Sequence, residues 1–199
     1  MARIFSSGNP EFPRVKVTDA AMDAVGGRID VDLEGINELL RDDLGLEKEI
    51  TPKYVLYGRS RDTGLLGLHV PYTHTAFVQV PASLEYGEGP SSTLVHESVH
   101  LVDSVEHKFR TAGELAMRGA ATIASGKLAR AGAEILPGPV ITDAMAYWMI
   151  FLKLRMGLYY QKLDPSENRA RYHQNDPYLR DKYRDVVKVG NVFRSIFDL

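Results

Sequence analysis

At 199 residues, 44% of them apolar, and with a formal charge of −2, the chain can bury one core, and its acids and bases are interspersed along its length. That balance argues for a single domain over 1–199 and against a nucleic-acid or anionic-membrane surface, either of which needs a basic patch. Cysteine is absent, which excludes disulfides and thiolate metal sites and leaves imidazole and carboxylate as the strong ligands.

Residues 1–13 (MARIFSSGNPEFP) lack the apolar stretch of a signal peptide, and no run approaches the roughly 18 apolar residues of a membrane span. A cytoplasmic location is expected, with export by an unconventional route left open. The same residues, rich in Ser, Gly, Asn and Pro, read as an extended arm, followed by a short strand at Arg14–Val17. From Asp32 to Leu44, Leu33, Ile36, Leu39, Leu40 and Leu44 recur at helical spacing, and Gly45 supplies a stop. KYVLY (Lys53–Tyr57) and TAFVQV (Thr75–Val80) are β-branched and aromatic runs bounded by Pro and Gly, hence strands. Leu65–Val70 is either a further strand or a loop. Pro81–Pro90 (PASLEYGEGP) reads as a turn-rich link, with Ser91 or Ser92 capping the helix that follows.

Thr111–Ala131 is helical with weak points at Gly119 and Gly126, and Gly132–Pro139 breaks the chain. Val140–Tyr160 is apolar nearly all round, as in a helix buried on several sides. Beyond Asp164 and Pro165 the chain turns polar, and a last helix from about Asp176 carries Leu179, Tyr183, Val186, Val187 and Phe193 on one side. Residues 161–199 thus read as a C-terminal helical extension. Helix, then strands, then helices is the order of an α+β fold.

Within SSTLVHESVHLVDSVEH (Ser91–His107), His96, Glu97 and His100 spell H-E-x-x-H. On a helix the two His lie about 6 Å apart along the axis and about 40° apart around it, so both imidazoles can reach one Zn²⁺. Glu97, turned about 100° from His96, can miss the ion and exchange protons with a water beside it. Asp103 and His107 share the face but lie about 4.5 and 10.5 Å beyond His100, too far for a common ion.

An uncharged helix carrying this motif resembles the active-site helix of the zincin metallopeptidases. That resemblance implies zinc on His96 and His100 and a general base at Glu97. Metzincins continue as H-E-x-x-H-x-x-G-x-x-H, whereas here Asp103 stands at the Gly position and His107 comes one residue late. The aspzincin G-T-x-x-D pattern is also missing. Gluzincins take a third ligand from a later helix, often as E-x-x-A followed by aromatic residues. Asp143-Ala144-Met145-Ala146-Tyr147-Trp148 resembles this with Asp in place of Glu, 143 − 100 = 43 residues after His100. A carboxylate on so apolar a helix needs a cation to be buried cheaply, so Asp143 is the expected third ligand. Glu114 and Glu134 are fallbacks. Asp103 is expected to brace the site from outside the ligand set, and Tyr147 to support it or polarise a carbonyl. His69, His74 and His173 are expected at the surface.

The resemblance to minimal gluzincins further implies a backing helix, a small mixed sheet, the active-site helix and a third-ligand helix. Thr75–Val80 would be the edge strand that pairs with a peptide or protein substrate. The expected function is zinc-dependent peptide-bond hydrolysis. Two alternatives are a non-catalytic binding protein on the same scaffold and an effector-type protease with one target.

Overall fold

The computed structural model describes residues 2–9, 12–58, 66–86, 88–113 and 165–191. Two compact units make up the chain, one of Met1–Lys108 with Arg169–Leu199 and one of Phe109–Asn168. In chain order the elements are β1 (Arg3–Phe5), β2 (Arg14–Val17), α1 (Asp19–Val25), β3 (Gly27–Val31), α2 (Leu33–Glu38, extended by a π-helical turn, Leu39–Asp43), β4 (Lys53–Tyr57), β5 (Gly67–His69), β6 (Thr75–Gln79), α3 (Val80–Tyr86), α4 (Pro90–Glu106), α5 (Pro165–Gln174), α6 (Pro177–Lys182) and β7 (Val187–Asn191). All belong to the first unit except the opening turn of α5, a single uninterrupted helix whose residues from Arg169 onward lie within it. The class is α+β.

Five strands form a mixed sheet in the order β1-β2-β4-β6-β5. β2, β4 and β6 run parallel, and the flanking β1 and β5 are antiparallel to their neighbours. Alternation selects the buried face: Val15 and Val17, Tyr54 and Leu56, Ala76 and Val78 are buried, while Arg14, Lys16 and Lys53 point to water. α4 shares this core through Leu94, Val95, Leu101, Val102 and Val105. Each such side chain contributes about 1.5–3 kcal/mol by leaving water.

Hydrogen bonds from five other segments, through side chains or backbone, grip α4. Tyr54 of β4 bonds Ser98 at 2.7 Å, and His69 of β5 bonds Ser104 at 2.8 Å. Thr93 donates to Ser83 of α3 at 2.9 Å. Ser91 donates to the carbonyl of Val187 and accepts from its N–H, at 3.1 and 3.0 Å, which ties down β7. At the far end Glu106 accepts the backbone N–H groups of Glu47 and Lys48 at 3.0 and 2.8 Å and pairs with the Lys48 ammonium. Burial pushes the Tyr54 phenol above its ordinary value, with the nearby Glu97 charge adding to the shift, so it stays a donor.

Several sequence expectations are corrected. Thr75–Val80 is not the edge of the sheet: β6 lies between β4 and β5, and β5 is the terminal strand among the described residues. Val80–Tyr86 is helical rather than a turn-rich link, because Pro81 falls in the first turn, where its missing N–H costs nothing. α4 begins at Pro90, and its N-cap is Gly89, whose φ of 99° suits only glycine; neither Ser91 nor Ser92 is the cap. The arm contains β1, and α1 and β3 follow where no element was expected. The C-terminal extension is not wholly helical: Val187–Asn191 is a strand that pairs antiparallel with β3, from Gly27↔Asn191 to Val31↔Val187. Of the helix expected at 111–131, residues 111–113 are helical; its remainder and the helix expected at 140–160 lie outside the described residues. Among those described, no helix is long and apolar enough to cross a membrane.

Candidate metal centre

The histidine pair is set by the helix register of α4. His96 and His100, one turn apart and both part-buried, bring their Nε2 atoms to 3.2 Å of each other. Two nitrogens bound to one tetrahedral zinc at about 2.05 Å are separated by about 3.3 Å, so the rings already stand in the relation that a shared ion demands. The rings lie 5.0 Å apart and are inclined at 70°, edge to face.

Glu97 points another way. It is 5% exposed and lies against the backbone of β5: a Cβ built on Gly67 would fall 2.5 Å from its Oε1. Glycine at this position is therefore a matter of space, since any side chain would enter the volume held by the glutamate. The carboxylate sits between the histidine-bearing helix and the terminal strand of the sheet.

α5 lies along α4 through two polar contacts. Arg169 bonds Asp103 through Nε at 2.8 Å and a terminal nitrogen at 2.7 Å, a charge-assisted fork. Asp103 thus braces a neighbouring helix. At the last residue of α5, Gln174 turns its amide oxygen to His96 Nδ1 at 3.0 Å and donates its NH₂ to Ser92 at 2.9 Å. One ligand atom from each of His96, His100 and Glu167 lies within 4.8 Å of the other two, the only such group of three His or acidic residues among the described residues.

The expected third ligand, Asp143, and its neighbour Tyr147 lie outside the described residues, as do Glu114 and Glu134. Glu167 was passed over in a segment that reads as a polar tail. A signal was nonetheless present: Glu167-Asn168-Arg169-Ala170, then Tyr172, is E-x-x-A followed by an aromatic, with Glu itself in the leading place. Nothing in the sequence pointed to Gln174, because a lone amide carries no spacing rule.

His69 is not the surface residue expected from sequence. It is buried between the Thr75 carbonyl at 3.0 Å and the Ser104 hydroxyl at 2.8 Å. Burial pushes its imidazole down to about 4, the charges of His100 and His74 adding to this against the Thr75 carbonyl, so it is a neutral strut between β5 and α4. His74 and His107 are exposed, and His173 stands edge-on to Tyr172.

No family model matches this sequence, and comparison with curated proteins and with solved structures returned no match.

Proposed function

We propose that this chain is a zinc-dependent peptidase of the zincin type, in which His96, His100 and Glu167 hold the ion and Glu97 moves the proton. The observation that carries the reading is the 3.2 Å approach of the two Nε2 atoms, with the buried Glu97 beside them and outside the pair. Two imidazoles and one carboxylate, with no thiolate in the chain, form an N/O donor set that suits Zn²⁺ and leaves a further position for a reactant. When bound, zinc would supply Lewis acidity toward water and the substrate carbonyl oxygen.

The chain's own residues do the rest. A peptide extended along the outer edge of β5 would pair with backbone at Gly67–His69, so its hydrogen bonding would not depend on side-chain identity. Glu97, touching Gly67, would then lie alongside the carbonyl to be attacked. As water adds to that carbonyl, Glu97 takes its proton; as the C–N bond breaks, it returns the proton to the departing amine. Exposed Leu68, Val70 and Tyr72 give the same border an apolar flank for substrate side chains.

The test is zinc content together with cleavage of a mixed peptide library. Protein purified without chelator should hold about one zinc per chain, and Glu97→Gln should keep the metal while abolishing cleavage. No zinc after supplementation would refute the metal centre, whereas zinc without cleavage in the parent would point to a binding module on the same scaffold.

A further inference from the structure

We infer that Gln174 is a positioning residue that sets the tautomer of His96 and so decides which ring nitrogen meets the metal. The inference rests on the zinc-site reading above.

A neutral imidazole carries one proton, and the nitrogen without it is the one that can ligate. At His96 the partner of Nδ1 is the amide oxygen of Gln174, which can only accept. Nδ1 must therefore hold the proton, and the lone pair belongs to Nε2, the atom that faces His100 Nε2 at 3.2 Å. An amide turned end for end would donate to Nδ1 and select the opposite tautomer, removing the lone pair from the site. The structure places the amide oxygen on Nδ1 and the amide NH₂ on the Ser92 hydroxyl at 2.9 Å; Ser92, which can donate as well as accept, anchors the amide without itself choosing its orientation. A hydroxyl on the first turn of α4 thus holds an amide on the last turn of α5 against a ring one turn further along α4.

Helix geometry explains why this position is used. Gln174 is seven residues after Glu167, about 10.5 Å along the axis and only about 20° around it, so both lie on one stripe of α5. A single helix face thus offers a carboxylate to the histidine pair and an acceptor to His96 Nδ1. Because that acceptor is a neutral amide and not a carboxylate, it fixes the ring without adding negative charge that would lower the Lewis acidity of the ion.

Two measurements test this on the full chain. Long-range ¹H–¹⁵N correlation spectra of the metal-free protein, taken well above the ordinary imidazole pKa, report the tautomer of each histidine. His96 should be protonated on Nδ1 in the parent and shift toward the Nε2-protonated form in Gln174→Leu. Competition against a chromophoric zinc chelator should show affinity about 10–100-fold weaker in Gln174→Leu. Gln174→Glu, which keeps an acceptor, should bind at least as tightly as the parent. Zinc binding by the parent with unchanged affinity in Gln174→Leu would overturn the inference and leave the metal site standing, whereas a parent that binds no zinc would overturn both. Should Gln174→Leu fail to fold, Gln174→Glu decides: weaker binding, or His96 protonated on Nε2, refutes the positioning role.

Discussion

Replacing Gly67 with alanine sets a methyl group against the proposed proton carrier without touching a metal ligand. The added Cβ would lie 2.5 Å from Glu97 Oε1, 2.7 Å from Cγ and 2.9 Å from Cδ, all below the closest approach that Cβ atoms show. Ordinary contact begins at 3.4 Å, so something must yield by 3.4 − 2.5 = 0.9 Å. Rotating the carboxylate cannot relieve it, because three successive atoms of the side chain are struck. Either Glu97 swings away or β5 retreats, and β5 is held by its ladder to β6 and by the His69–Ser104 bond. Overpacking of this kind costs about 1–3 kcal/mol of stability, and a displacement near 1 Å at a proton-transfer group costs about 10²-fold in kcat. The assay pairs steady-state cleavage with zinc stoichiometry: Gly67→Ala should lose about two orders of magnitude in kcat and keep its metal. A double-mutant cycle with Glu97→Ala reads the same contact through stability alone, since deleting the struck side chain should cancel most of the alanine penalty. Parental kcat in Gly67→Ala, or a penalty that persists in the Glu97→Ala background, would refute the packing argument.

Two further outcomes are expected. Glu167→Ala should weaken zinc binding by at least about tenfold while Asp143→Ala leaves it near parental, as read by chelator competition; the reverse order would return the third ligand to Asp143. The buried His69, with a folded value of about 4 against about 6.5 when unfolded, makes stability pH-dependent. Between those values the unfolded chain binds the extra proton, so the His69 contribution is complete above about pH 6.5 and is lost as pH falls toward 4, a swing of about 3 kcal/mol. Denaturant titrations across that window should show a shallower acid slope in His69→Gln than in the parent, and parallel curves would contradict the assignment.

The legible parts of this chain were those whose chemistry is local. H-E-x-x-H placed both histidines on one helix face because five residues suffice to define it, and Lys53–Tyr57 and Thr75–Gln79 announced themselves by β-branched alternation within a few residues. What escaped depends on partners far away in sequence. β3 is a strand because β7 lies beside it, and the pairing of Ile29 with Val189 leaves no local trace. Leu179, Tyr183, Val186 and Val187 fit a helical stripe, yet the chain turns after Tyr183 and Val187 enters a sheet; burial was read correctly and periodicity was not. β6 lost its expected edge position because Gly67–His69, an ambiguous run, pairs on its outer side. Glu167 was hidden by composition: α5 is too polar to look like part of a core, whereas the apolar stretch around Asp143 drew the argument from burial.

The bond between Ser91 and Val187 has a consequence for the order in which the protein can be made. α4 leaves the ribosome with its histidines already in register, but the residues that hold its first half, Gln174 for His96 and Val187 for Ser91, are synthesised roughly eighty or more positions later. Until then the helix has β4, β5 and α3 to lean on and no fixed tautomer at His96. On the zinc-site reading, a nascent chain that stops short of Gln174 and Val187 would carry the motif without carrying the centre.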